Sequence, residues 1–484
     1  LTFGTNGVHG STEAGCLRVN SSGSFTFGSG DVTIFSGFTA KGTDTVTSTG
    51  GGDIIIKGRT NNGFMNSHNH QGVSITGDYI IDFDDTALFD NRGGTRITCG
   101  TFIIKHDGRT YQPWNNSDAG LFRIVGNMEI QDGTFDTKYV GQDSQLLTVT
   151  GDVIIANGGT LTGNASAISM NSLTLGESGS AGGTYNATSE TTTITGYRSS
   201  TNNAIYANGA IVHNSGTFAF TNSSNYSGIE IQIEGGAGSA GTYFNDVTFS
   251  GNSTYRFPYY GSNDVTVSGD LTMSGTPDIK QWRRSLIVNG NVTIGSGCVY
   301  DCEGSGVAGV SSDFTAGSLT IASGGTFKAS SGTTTFTSTT SNYSLVNDGT
   351  FTHNNGTVKV DFETPNFNNH SRLKVNELFN LEVEMNRTVD YVYLQKVSGD
   401  TITILGDLHM IKGDFEDHTN SDKYVIHGQT IIEANARFGA NTNWHTGDIT
   451  HHGLVTINGG SYFRSDAGGT VKMGGIRNIG GSIL

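Results

Sequence analysis

Gly317-Ser318-Leu319-Thr320-Ile321-Ala322-Ser323-Gly324-Gly325-Thr326-Phe327 is the stretch whose reading decides the fold. It runs as a small residue, an apolar–polar–apolar strand, a glycine turn and a second strand opening on Thr-Phe. The phrase returns at Gly126-Asn127-Met128-Glu129-Ile130 with Asp132-Gly133-Thr134-Phe135. It returns again at Gly151-Asp152-Val153-Ile154-Ile155 with Gly158-Gly159-Thr160-Leu161. Apolar residues alternating with Thr or Glu give the period of two expected of a strand with one buried face.

Strands opening on Gly, usually followed by Asp or Asn, start at Gly30, Gly52, Gly77, Gly100, Gly126 and Gly151, and later at Gly269, Gly290, Gly317, Gly406, Gly428 and Gly453. Within unbroken runs the starts lie 22, 25, 23, 26 and 25 residues apart, then 21 and 27, then 22 and 25. A drifting period of this size marks units stacked in one direction. Three short strands and three turns fill roughly that length, so each period is one coil. The sequence therefore predicts an all-β chain, a parallel β-helix (β-solenoid) with coils of roughly 21–27 residues and essentially no α-helix. Antiparallel sandwiches would need hairpin turns every 8–12 residues instead. Only Lys374–Met385 offers a helical period, and it too alternates at Leu381-Glu382-Val383-Glu384-Met385. Val292/Ile294 are expected beneath Leu319/Ile321, with Thr293 and Thr320 in an outward ladder. The expected organisation is a solenoid over 1–345 with a loop-rich insertion near 176–208, irregular or wider coils over 346–404, and a solenoid continuation over 405–484.

Composition bounds the function. Glycine at 71 of 484 residues, against only 4 prolines and no Gly-X-Y period, excludes collagen. Aromatic residues at 10% imply a true core, and charged residues at 14% leave a surface of Ser, Thr, Asn and Gly. That surface suits an extracellular, cell-surface or virion-surface protein. The net charge of −16 argues against nucleic acid as a partner. No run of eighteen apolar residues provides a membrane span. The chain opens on Leu1 without a signal peptide, which reads as a processed chain or a segment of a longer one. Nothing in the sequence calls for a cofactor.

The strongest chemical candidate is Tyr79-Ile80-Ile81-Asp82-Phe83-Asp84. Alternation turns Tyr79, Ile81 and Phe83 inward and leaves Asp82 and Asp84 on one outward face, about 6.5–7 Å apart. The pair reads first as a solvated acidic face, and as a weak candidate for acid–base glycoside hydrolysis or Ca²⁺. His68-Asn69-His70 places two imidazoles on one face, a weak metal candidate beside a plain surface loop. His445, His451 and His452 form a looser group. Cys298 and Cys302 suit either a small disulfide loop or two thiols at a coil corner. Trp114, Tyr259, Tyr260 and Trp282 are candidates for stacking on sugar rings.

Gly-Asp-Val-x-Ile with Gly-Gly-Thr-Phe resembles the repeats of β-helical bacterial surface adhesins and of phage tail fibres or tailspikes. His68-x-His70 is similar to the iron-binding elements of some phage fibre tips. The Gly-His-Gly and paired-Asp motifs of pectin-cleaving β-helix hydrolases are absent. The resemblance implies a non-catalytic rod that spans distance, contacts a cell-surface glycan, or self-associates into a fibre or homo-oligomer. A polysaccharide depolymerase on the same scaffold is the alternative, and a self-assembling filament or virion subunit the second.

Overall fold

In the computed structural model, residues 2–3, 17–19, 22–35, 38–40, 45–57, 72–82, 87–90, 95–114, 120–138, 144–177, 180–234, 242–259, 264–282, 284–304, 312–339, 342–362, 370–385, 391–399, 401–417, 423–439, 448–464 and 470–483 are described. They form an all-β parallel β-solenoid of about 15 turns, without a helix among them. The chain divides into two compact units. One comprises residues 1–222, 228–247 and 261–263; the other comprises 223–227, 248–260 and 264–484.

The first unit shows how a coil is made. Leu146–Val149, Asp152–Ile155 and Gly159–Thr162 are its three strands, one per face. Each lies parallel and in register on its counterpart in the next coil: Ile168–Met170, Ser172–Leu175 and Thr184–Asn186. Those pair in turn with Thr191–Ile194, Asn203–Ala207 and Ala210–Val212. Three strands of the 176–208 stretch, read from the sequence as loop-rich, thus occupy successive places in the ladders.

In the second unit Val292, Thr293 and Ile294 stand against Leu319, Thr320 and Ile321, as expected from the repeat. Leu345, Leu373 and Leu394 continue the Leu319 column. All four leucines are fully buried. Aromatic rings stack in the same manner: Tyr300 on Phe327 at 5.7 Å and Phe327 on Phe351 at 5.9 Å. Phe415, Phe438 and Phe463 repeat this at 5.1 and 4.8 Å.

The recurring Gly-Asp/Asn pair sits at a coil corner and is consumed there. Asp31 accepts the Asp53 N–H, Asp53 accepts that of Asp78, and Asp78 accepts that of Thr101, at 3.1, 2.8 and 2.8 Å. Asn127 serves Asp152 in the same way at 3.0 Å. In the second unit Asp270 accepts from Asn291 at 2.7 Å. Asp407 accepts from Gln429 at 2.7 Å, and Asn380, which follows Phe379 in place of glycine, accepts from Asp407 at 2.8 Å. The preceding glycine is required because the coil below fills the space of a side chain. A Cβ on Gly151 would stand 2.3 Å from Asn127 Oδ1 and 2.6 Å from the Gly126 carbonyl. Burying an Ile or Phe contributes about 1.5–3 kcal/mol, and each corner hydrogen bond about 0.5–1.5 kcal/mol. The core therefore drives coiling while the corners fix its register.

A different corner is built by His213-Asn214-Ser215-Gly216 and again by His353-Asn354-Asn355-Gly356. The two residues after each histidine are left-handed, with φ of 47° and 60°, then 46° and 59°. The first Asn donates to a carbonyl of the preceding coil, Ala187 or Ala329, at 2.7 Å in both cases.

Gly151→Ala is expected to destabilise the protein by about 1–3 kcal/mol, because backbone and a bonded amide occupy the site. Gly51→Ala, where nothing lies within 4 Å, should change stability by less than about 0.5 kcal/mol. Denaturant unfolding of the two variants checks the contrast.

Candidate functional site

Among the described residues of the second unit, the ladders fail at one place. Thr350–Thr352 pairs with Thr326–Lys328 of the coil before it. The equivalent strand of the next coil, Glu377–Leu378, pairs only with Thr401–Ile404 of the coil after it. The two strands are not hydrogen-bonded to each other, although the neighbouring faces stay paired across the same step, one of them with a bulge between Tyr343 and Leu345. A shortened connection accompanies the failure. Four residues, His353 to Gly356, join Thr350–Thr352 to Thr357–Asp361, whereas Phe379 alone joins Glu377–Leu378 to Asn380–Glu384.

A groove of about 320 Å³ opens there, lined by Asn347, Thr350, Phe351 and His353 on one side and by Val375, Asn376, Glu377 and Ser398 on the other. Its polar groups are braced. Asn376 Oδ1 accepts the N–H groups of Val397 and Ser398 at 2.8 and 3.1 Å, and its Nδ2 donates to Ser398 Oγ at 3.1 Å. The Asn355 N–H donates to His353 Nδ1 at 3.0 Å, so Nε2 carries the proton and donates to Glu377 Oε1 at 3.2 Å. Glu377 remains 52% exposed.

Further along the same unit, Asp414 and Glu416 share the outward face of one strand, on either side of inward Phe415. Register sets Asp414 between Tyr391 and Arg437, and Glu416 beside Tyr393. Arg437 Nε donates to Asp414 Oδ1 at 2.6 Å, and its guanidinium lies 5.5 Å over the Tyr462 ring. Asp414 and Glu416 are only 1% and 4% exposed. Burial pushes the Glu416 carboxyl up to about 7; the Asp414 charge adds to the shift, while the Tyr393 hydrogen bond and Arg437 oppose it.

The residues singled out in the sequence are placed unevenly. Tyr79 and Ile81 face inward and are fully buried, as alternation required. Asp82 is partly exposed and paired with Lys57 at 3.2 Å, while Phe83 and Asp84 lie outside the described residues. His68, His70, His445 and Tyr260 also lie outside them, as does the side chain of Trp114. Tyr259 and Trp282 come together, with ring centroids 5.8 Å apart and the Arg256 guanidinium 4.7 Å over Trp282. The Trp282 indole N–H is buried with no acceptor among the described residues. Cys298 and Cys302 are free, buried thiols.

His451 points inward between Phe438 and Phe463, with Nδ1 2.8 Å from Thr430 Oγ1; burial lowers it to about 4. His452, its neighbour, is exposed and stacks on His427 at 4.8 Å. The described residues hold no group of three or more His, Cys, Asp or Glu suited to a metal ion. There is no helix among them long and apolar enough to cross a membrane. Sequence reading missed both the groove and the Asp414/Glu416 pair. The second carried the same carboxylate-x-carboxylate signal as Asp82/Asp84.

No protein-family model, curated protein or solved structure matches the chain.

The two shifted groups tilt stability in opposite directions. Glu416 keeps its proton in the folded chain after the unfolded chain has lost it, so its contribution is full below pH 4.5 and lost as pH rises through about 7. Glu416→Gln should remove a fall of up to roughly 3 kcal/mol between about pH 4.5 and 7.5. His451 is protonated first in the unfolded chain, so its contribution is full above 6.5 and lost as pH falls toward about 4. His451→Leu should flatten that acid limb. Urea unfolding across pH for both variants and the parent checks the signs.

Proposed function

We propose that this chain is a non-catalytic structural rod of an extracellular adhesin, fibre or surface appendage, which spans distance and contacts surface glycans. One observation carries the reading. The residues that define the repeat, from Asp31 through Asp53 and Asp78 to Thr101 and from Asp407 to Gln429, are all engaged in bonding one coil to the next. A repeat kept for its corners is a repeat kept for length. The low-charge, hydroxyl- and amide-rich surface supports glycan contact through shallow polar groups. Self-association into a fibre or homo-oligomer is compatible with the same scaffold.

Asp414 and Glu416 favour a second reading, a polysaccharide depolymerase. A carboxyl held protonated near neutrality beside a carboxylate bound to arginine is the pairing that acid-assisted glycoside cleavage uses. Both groups are sealed from solvent, which weighs toward a structural role.

Purified protein incubated with a panel of bacterial and algal polysaccharides should retain at least one of them without generating new reducing ends. New ends that vanish in Glu416→Gln or in Asp82→Asn would replace the rod with an enzyme. Filaments formed at micromolar protein with no polysaccharide retained would favour a purely self-assembling subunit.

A further inference from the structure

We propose that the break in the ladder between Thr350–Thr352 and Glu377–Leu378 is a binding subsite for a neutral pyranose. This rests on the glycan-contacting part of the reading above and gives it an address.

Phe351 supplies the first reason. Phe327, one coil earlier, is covered on both ring faces, by Tyr300 at 5.7 Å and by Phe351 at 5.9 Å, and is fully buried. Phe351 holds the same column position but is only partly buried, and it lines the groove at the step where the strand of the next coil, Glu377–Leu378, is not hydrogen-bonded to its own. A partly buried aromatic ring at the wall of a polar groove suits the apolar C–H face of a sugar ring.

The remaining walls supply what sugar hydroxyls need. The Glu377 carboxylate, half exposed and using Oε1 for His353, has acceptor capacity to spare. Ser398 Oγ accepts from Asn376, which leaves its hydroxyl proton to donate, and Thr350 adds an exposed hydroxyl. Because Asn376 is fixed by three hydrogen bonds and His353 by two, this wall is organised before any ligand arrives.

Size and charge narrow the class. A groove of about 320 Å³ sits at the lower end of small-molecule sites and accommodates roughly one or two pyranose rings. The Glu377 carboxylate at the wall repels uronates and other acidic sugars, so the occupant is neutral. An added peptide strand fits less well. The two open edges are three and two residues long, too short for the main-chain ladder that strand addition relies on.

The test is affinity electrophoresis and calorimetry of the whole chain on neutral glucan, galactan and mannan oligosaccharides, with alginate as the acidic control. Three variants accompany it: Ser398→Trp, which fills the groove from an exposed position; Glu377→Gln, which changes one wall; and Phe351→Ala, which removes the platform. The wild type should bind at least one neutral oligosaccharide and not alginate. Ser398→Trp should weaken binding tenfold or more with an unchanged unfolding midpoint, and Phe351→Ala should do the same even if its midpoint falls. Binding left intact in Ser398→Trp would overturn the groove while leaving glycan contact standing. Preference for alginate would overturn the neutral class, and retention of no polysaccharide at all would overturn both readings together.

Discussion

The closeness of one coil to the next at its corners is the constraint on which the rest depends. Parallel strands stack at about 4.8 Å, and at the corner that spacing leaves no room for a β-carbon. A Cβ on Gly77 would stand 2.3 Å from the Gly52 carbonyl, and one on Gly428 2.3 Å from Asp407 Oδ1. Glycine admits the approach, and the following Asp or Asn exploits it by accepting an N–H from the coil above. Apolar columns such as Leu319–Leu345–Leu373–Leu394 supply most of the burial energy. They would tolerate neighbouring registers more readily than the corners do, since one leucine replaces another along the column.

Departures from this constraint are where the molecule gains chemical variety. One connection shortened to the single residue Phe379 accompanies two faces that stay paired and a third that does not, where Phe351 is less buried than Phe327 one coil earlier. A second departure lies on the outward surface, where Tyr391, Tyr393 and Arg437 flank the buried Asp414 and Glu416 from the adjacent coils. Neither departure disturbs the Leu319–Leu345–Leu373–Leu394 column, which is why such features fit into a repeat without ending it.

Coil spacing and the inward columns were legible in the sequence because both are local. The alternation within Gly290–Ile294 and Gly317–Ile321, and the distance between them, determine which residues stack. The use of the acidic slot was less legible: an Asp after Gly reads equally as a turn former, a ligand or a catalyst until its partner one coil away is known. The groove is marked in sequence only by what the coil after Thr350–Thr352 lacks, the four-residue turn His353–Gly356. Asp414 and Glu416 show the same limit. Their pattern matches Asp82/Asp84, but their neighbours are tyrosines and an arginine from adjacent coils, 23 residues away on either side as Tyr391↔Asp414 and Asp414↔Arg437. Reading that requires register, which alternation alone does not supply.

The missing strand pairing at Thr350–Thr352 also has a mechanical meaning. Force applied along the stacking direction of this unit is carried from coil to coil by three ladders of hydrogen bonds, loaded together. Between this coil and the next, one of the three is absent, so the same load falls on the two that remain, Tyr343–Asn347 against His370–Lys374 and Thr357–Asp361 against Asn380–Glu384. The step is a built-in point of compliance, at which a tensioned solenoid yields before its better-bonded coils do.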